Sequence, residues 1–341
     1  MKGGIEVDQE LTDRIRVMRA HFVVPPSTEE IFAAFDAATL SLTAAYEPVV
    51  KAFRHSLSAT LSTVTIPFAL ASSSTEQTHF QRIHIAERIR AQKIGEEQVH
   101  EGEDLESLRD REASFIAQSR MRDFVESEDG KSIFIRDTCG FLLASLKHGL
   151  EPAARELVQQ GLVLLWSAFE VLCRDAFETL LNEQPTKIQE LVIHPKTRKR
   201  FEAESLSLET LVHHGFDLSG RLGTVLVGQN DFSDLPTVKA VYGVLFPTST
   251  ALNEAFGRRE LWMLYQRRHL FVHRRGIIDQ AYPDATGESC TVGTPLVVTP
   301  DDFEAALNVV AAAGTALAGC LPMNIAAQQR LAADAPIASS S

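Results

Sequence analysis

Residues Glu151–Leu181 read EPAARELVQQGLVLLWSAFEVLCRDAFETLL, and Pro185 follows shortly after. Leu157, Leu162, Leu164, Leu165, Trp166, Phe169, Leu172, Cys173, Phe177, Leu180 and Leu181 recur mostly one, three and four residues apart, the pattern of a long helix rich in core residues. Proline lacks the amide hydrogen that would continue the helix, so Pro185 closes it. A helix this long and this apolar needs other helices around it, and the rest of the chain supplies them. The fold class expected is mainly α.

Upstream, Leu11 to about Leu61 is mostly helical, with Ile31, Phe32, Phe35, Tyr46, Val49 and Phe53 on its apolar positions. Pro25-Pro26-Ser27-Thr28-Glu29-Glu30 is a break followed by a helix start, with Ser27 as the cap and Glu30 three residues on. The Ser/Thr-rich stretch Ser56–Thr78 is the expected internal linker. His79–Leu108 reads as a solvated polar helix or coiled-coil arm, interrupted by the acidic piece Glu96–Glu106. Ser132–Leu146 is short and apolar, strand or helix.

Downstream come the basic loop His194–Arg200, a Gly215-Phe216-Asp217 turn, and helices near Leu218–Leu226, Pro236–Leu245 and Thr248–Phe256. A further helix starts near Arg258 and stops at Gly276. The final helix starts at Thr299-Pro300-Asp301-Asp302, with proline in the first turn and acids at the positive end of the helix dipole. The division expected is 1–150 as a mostly helical N-terminal region of unassigned role, 151–325 as a helical domain, and 326–341 as a flexible tail.

The chain has 341 residues, 45% of them hydrophobic and 23% charged, the balance of a globular protein with a real core. Its four cysteines lie far apart, with no C-x-x-C pair, which predicts reduced thiols and no zinc knuckle. Ser56–Thr75 and Ala305–Gln329 carry no charge but are too polar or too small-residue-rich to read as membrane spans. The opening residues lack a basic region followed by an apolar run, so the expectation is a cytoplasmic protein without a signal peptide or membrane partner. Net charge is −12, which disfavours polyanion binding over the whole surface and confines any nucleic-acid site to a local patch.

One such patch exists. Between Arg258 and Arg275 there are six arginines against the single acid Glu260. Within it runs Gln266-Arg267-Arg268-His269-Leu270-Phe271-Val272-His273-Arg274-Arg275-Gly276-Ile277-Ile278-Asp279. The spacing of Arg268 and His273 alone carries no weight, because Arg16 and His21 have it too. The surroundings distinguish it: a polar His269, three apolar anchors, His273, and a helix stop.

This motif resembles the signature of the HEPN (higher eukaryotes and prokaryotes nucleotide-binding) ribonucleases: Arg, then Asn, Asp or His, then three mostly apolar residues, then His. Arg268-His269-Leu270-Phe271-Val272-His273 matches each position, Gly276 and Asp279 follow as in many members, and Trp166-Ser167-Ala168-Phe169-Glu170 is similar to that domain's first helix. The resemblance covers about Glu151–Leu321. It implies a HEPN-like helical bundle that dimerises across a cleft holding two copies of the motif, and a metal-independent endoribonuclease with RNA as substrate and no cofactor. Members are commonly toxins or antiviral effectors, so a defence or stress role and a separate antitoxin or regulatory partner also follow from it.

The residue chemistry fits that reading independently. RNA cleavage by its own 2′-hydroxyl needs a proton acceptor, a proton donor for the leaving 5′-oxygen, and stabilisation of the charged phosphorane. His273 suits either proton role and Arg268 the phosphate oxygens. These two are the expected catalytic residues. His269, one turn before His273, holds the imidazole, contacts phosphate, or is an ordinary packed or solvated histidine. Glu170 orients the Arg or His, or forms an ion pair with an arginine of the motif helix. Arg267, Arg274 and Arg275 are the expected RNA-binding residues, and Asp279 a turn residue. In an undistorted helix Arg268 and His273 point about 140° apart. Convergence then needs a bend, a helix end, or a partner subunit.

Other chemistries find less support. His269-x-x-x-His273 has the spacing of a zinc helix, but Leu270 stands where a metallopeptidase keeps its glutamate, and no metal is expected. Phosphate-binding P-loops, dinucleotide fingerprints and nucleophile elbows are absent from the sequence. The alternative from another class is a non-catalytic HEPN-like module binding RNA, nucleotide or protein through the arginine-rich helix.

Overall fold

The computed structural model describes residues 3–95, 104–201, 208–229 and 232–324. The helices before the central segment are α1 (Gly3–Arg19), α2 (Thr28–Thr39), α3 (Glu47–Val64), α4 (Ile66–Ala91), α5 (Leu105–Glu126) and α6 (Glu128–Ser145). The helix read first from the sequence is α7 (Glu151–Glu183). After it come α8 (Ile188–Ile193), α9 (Arg198–Phe201), α10 (Leu208–His213), α11 (Leu222–Gln229), α12 (Leu235–Leu245), α13 (Thr250–Gly257), α14 (Arg259–Arg274), α15 (Ala281–Thr286) and α16 (Pro300–Ala318). Extended pairing among the described residues is limited to the isolated bridges Leu42–Met323 and Ile277–Pro295, so the protein is mainly α.

Two compact units form, Met1–Val24 with Val64–Leu157, and Pro25–Thr63 with Val158–Ser341. The division at residue 150 does not coincide with them, because Pro25–Thr63 packs with the C-terminal part of the chain. The Ser/Thr-rich stretch is not a linker either. Ser56–Thr78 lies in α3 and α4, where Thr60, Thr63 and Thr78 turn their hydroxyls onto the carbonyls of Ser56, Ala59 and Ser74, so composition alone misread it. The ambiguous Ser132–Leu146 is helical and falls almost wholly in α6. Most of the acidic interruption, at 96–103, and the tail at 326–341 lie outside the described residues.

In the first unit Met18, Phe22, Ala71, Cys139, Leu142 and Ala154 close a small core between α1, α4 and α6. Helices α4 and α5 pack along one another as a pair. Buried Ala113 and Ala117 let them approach, Arg120 of α5 reaches the buried Glu87 of α4 at 2.8 Å, and Arg109 donates to the Ile94 carbonyl at 2.8 Å.

In the second unit α7 is the centre. Its Leu162, Leu165, Trp166, Phe169, Phe177 and Leu180 are fully buried, each such side chain stabilising by about 1.5–3 kcal/mol. Phe169 meets Phe256 of α13 edge to face, Trp166 meets Tyr265 of α14, and the Tyr242 hydroxyl of α12 donates to the Cys173 carbonyl at 2.6 Å. Gly314 of α16 lets Phe53 of α3 come so close that a β-carbon there would stand 2.4 Å from its ring. An eighteen-residue stretch within Glu128–Glu183 is long and apolar enough to cross a membrane by length and composition, and half of it is buried inside the protein.

Candidate functional site

Helix α14 begins after extended Arg258 and buries Leu261, Met263, Leu264 and Leu270 against its own unit. Tyr265 lies between Trp166 and Trp262, at 5.1 and 5.5 Å between ring centroids, and the Trp262 indole donates to the Ala285 carbonyl at 2.9 Å. Trp166, as expected, is core; Trp262 is part-exposed. These contacts fix the rotation of α14 about its axis, and hence which way each arginine and histidine faces.

Arg267 faces inward, contrary to its expected place among the RNA-binding residues. Its guanidinium, 16% exposed, lies 2.8 Å from Asp302 of α16 and 3.3 Å from Glu288. Glu288 in turn accepts the Tyr282 hydroxyl at 2.7 Å. Burial works against the charge on Arg267, but the bonds and charges of Tyr282 and Asp302 outweigh it and hold the proton more firmly than usual. Asp302 is the capping-box residue of α16, taking the Thr299 amide at 2.8 Å on one oxygen and Arg267 on the other. Two carboxylates have consumed the charge a phosphate would need.

Arg268, one position on, turns toward α7. Its Nη2 lies 3.8 Å from the Glu170 carboxylate, an electrostatic pair too long for a hydrogen bond, and its buried Nε has no hydrogen-bond partner. Glu170 is therefore where the sequence expected it, beside the motif arginine, and can orient that side chain.

His269 and His273 are exposed, with ring centroids 4.6 Å apart and planes tilted by 47°. Partial burial and then the neighbouring His273 and Arg268 push the His269 pKa below the usual imidazole value, which favours its neutral form. Helix α14 stays regular through His273, so no bend swings that imidazole toward Arg268. Arg274 and Arg275 are exposed; Arg274 reaches Asp279 at 3.3 Å. Asp279 also accepts the Tyr282 amide at 3.2 Å, which makes it a turn residue.

The helix stops where Gly276 predicted, although the left-handed turn starts one residue earlier. Arg275 has φ 52° and Gly276 φ 76°, and the Gly276 amide returns to the Leu270 carbonyl at 3.2 Å. A β-carbon at residue 276 would stand 3.2 Å from the Phe271 ring.

Elsewhere in this unit, His194 and Lys196 of the basic loop join Lys239 and Trp262 around a cleft of about 490 Å³. Among the described residues no group of three or more His, Cys, Asp or Glu is placed to hold a metal ion. Sequence reasoning missed Asp302, Glu288 and Tyr282, the partners of Arg267. The one signal available was Asp302 at the start of α16, and a cap does not announce its second partner. The C-terminal half of α14 thus carries two exposed imidazoles, the exposed Arg274 and Arg275, the first of them paired with Asp279, and Arg268 in a long pair with Glu170. Comparison of the chain with known protein families, curated proteins and solved structures yields no match.

Proposed function

We propose that the protein is a metal-independent endoribonuclease of the HEPN type, acting as a homodimer in the cytoplasm in defence or stress. The observation that carries this reading is the outer side of α14. There Arg268 faces Glu170 at 3.8 Å with no closer carboxylate among the described residues, and the exposed His269 and His273 rings stand 4.6 Å apart.

Cleavage then proceeds by attack of the RNA 2′-hydroxyl on its own phosphate. One His273 imidazole takes the 2′ proton, and a second gives a proton to the leaving 5′-oxygen. Because α14 is unbent, one chain directs Arg268 and His273 apart, and the second imidazole comes from the other subunit of a composite site. Arg268 stabilises the phosphorane oxygens, with Glu170 as its positioning residue. Neutral His269 accepts a hydrogen bond next to His273, and Arg274 and Arg275 hold flanking phosphates. A separate antitoxin or regulatory protein would cover this side of the helix.

The test is cleavage of total RNA and labelled transfer RNA in excess EDTA by wild type, Arg268→Ala and His273→Ala, each checked for unchanged mass in solution. The expected result is EDTA-resistant cleavage by the wild type, reduced by at least about a hundredfold in both variants. Equal cleavage by the variants overturns the assignment. RNA binding without any cleavage favours the non-catalytic module.

A further inference from the structure

We infer that the first unit carries a second, separate site, which binds a nucleoside phosphate. Helices α1, α4 and α6 meet around a cleft of about 490 Å³ whose walls include Arg14, His79, Arg82, Arg136, Asp137 and Phe141. Three guanidinium groups share this cleft in a chain of net charge −12, so their partners decide what they are for.

Arg14 is held by Glu10 at 2.8 Å on its own helix, an exposed pair that solvent screens. Asp137 is shared: it takes His79 at 3.0 Å and Arg136 at 3.3 Å. Arg82 has no carboxylate within ion-pair distance among the described residues. Asp137 thus serves both His79 and Arg136, and no carboxylate among the described residues serves Arg82, which leaves the guanidiniums of the cleft outnumbering its acids.

His79 is itself fixed, by Asp137 on one ring nitrogen and by Phe124 stacked 4.9 Å away. Its position is set before any ligand arrives, and a preset side chain loses little entropy on binding. On α6, Gly140 leaves open space where a side chain would stand. Beside it Phe141, 50% exposed, presents an aromatic ring at the edge of the arginine cleft.

These features select the ligand class. The guanidiniums match phosphate oxygens in bidentate fashion, and the exposed ring offers a stacking face for a planar base. Inorganic phosphate satisfies only the first feature and a free nucleoside only the second. A nucleotide satisfies both within a cleft of this size. The site is independent of the ribonuclease reading, and either can fail alone.

Calorimetric titration of the full chain tests it, using the four ribonucleoside triphosphates, inorganic triphosphate and adenosine in magnesium-free buffer. Wild type, Arg82→Ala, Phe141→Ala and Arg268→Ala are compared, with unchanged circular dichroism and melting temperature as the check on folding. Both substituted residues of the cleft are exposed, so the fold is expected to survive. At least one nucleoside triphosphate should bind saturably and more tightly than inorganic triphosphate or adenosine. Arg82→Ala should weaken it by about tenfold or more. Phe141→Ala should reduce it to the affinity of inorganic triphosphate, and Arg268→Ala should leave it unchanged. Absence of saturable binding, indifference to both cleft substitutions, or loss in Arg268→Ala alone overturns the proposal.

Discussion

The inner and outer sides of α14 carry the same residue types to opposite ends. Arg267 and Arg268 are neighbours in sequence, yet the first lies 2.8 Å from Asp302 and 3.3 Å from Glu288, while the second, among the described residues, pairs with Glu170 at 3.8 Å. A helix turns about 100° per residue, so adjacent side chains meet different surroundings. Charge on the inner side ties α14 to α16. Charge toward α7 is met by one carboxylate at a longer distance, and Arg274 and Arg275 beyond it stay exposed. An arginine count along the sequence overstates a phosphate-handling surface, because it cannot subtract the arginines already neutralised.

Exchanging the readouts of the two arginines breaks this contrast most sharply if it is wrong. Arg268→Ala should cost at least about a hundredfold in RNA cleavage with the urea midpoint unchanged. Arg267→Ala should do the reverse, lowering stability by about 2 kcal/mol because Asp302 and Glu288 are left without their cation. A stable Arg267→Ala protein with lost cleavage would assign Arg267 to the outer side after all.

The same pair makes acid stability a finer probe. Burial pushes the Asp302 pKa up, but the Thr299 amide and Arg267 overcome it and hold the carboxyl below its usual value. A depressed carboxylate contributes stability that is present above its unfolded pKa, about 3.9, and is lost as pH falls through the folded value. Melting temperature measured from pH 7 to 3 should therefore drop at the acid end. In Arg267→Ala the pH-dependent part of that drop should shrink, since the carboxyl then titrates closer to its unfolded value.

Smaller effects sharpen the outer side. Arg275 sits in the left-handed region, where glycine is unstrained, so Arg275→Gly should raise stability by about 0.5–1 kcal/mol in urea titration. The same substitution should reduce the slope of RNA affinity against salt by about one charge. An unchanged slope would remove Arg275 from the RNA contact. The smallest expected change is in the titration of His269, followed by NMR of its ring protons. Its midpoint should lie below about 6.5 and move up in His273→Asn, since the neighbouring imidazole contributes to the depression. A midpoint at the ordinary value in both proteins would separate the two rings.

Local chemistry was the legible part. The Ser27 cap accepts the Glu30 amide, the Thr299–Asp302 capping box starts α16, Pro185 follows the end of α7, and the left-handed turn at Gly276 ends α14. Each depends on residues within one turn of one another, so spacing and side-chain type suffice to read it. Glu170 beside Arg268 was legible as one of two readings, because apolar neighbours on both helices fix the faces that meet. The Ser/Thr stretch was misread for the converse reason: its hydroxyls bond back to helix carbonyls, a choice that composition does not reveal.

By itself, then, the sequence determined a mainly helical chain, where several helices begin and end, and a concentration of arginine and histidine on one of them. Tertiary structure alone decided that Pro25–Thr63 packs with the C-terminal unit, that Arg267 meets Asp302 and Glu288 while Arg268 meets Glu170 at a longer distance, and that Arg14, Arg82 and Arg136 share one cleft. Helix starts and stops are set by bonds between residues a few positions apart. The fate of a charge is set by which distant carboxylate the packing of apolar faces brings within reach.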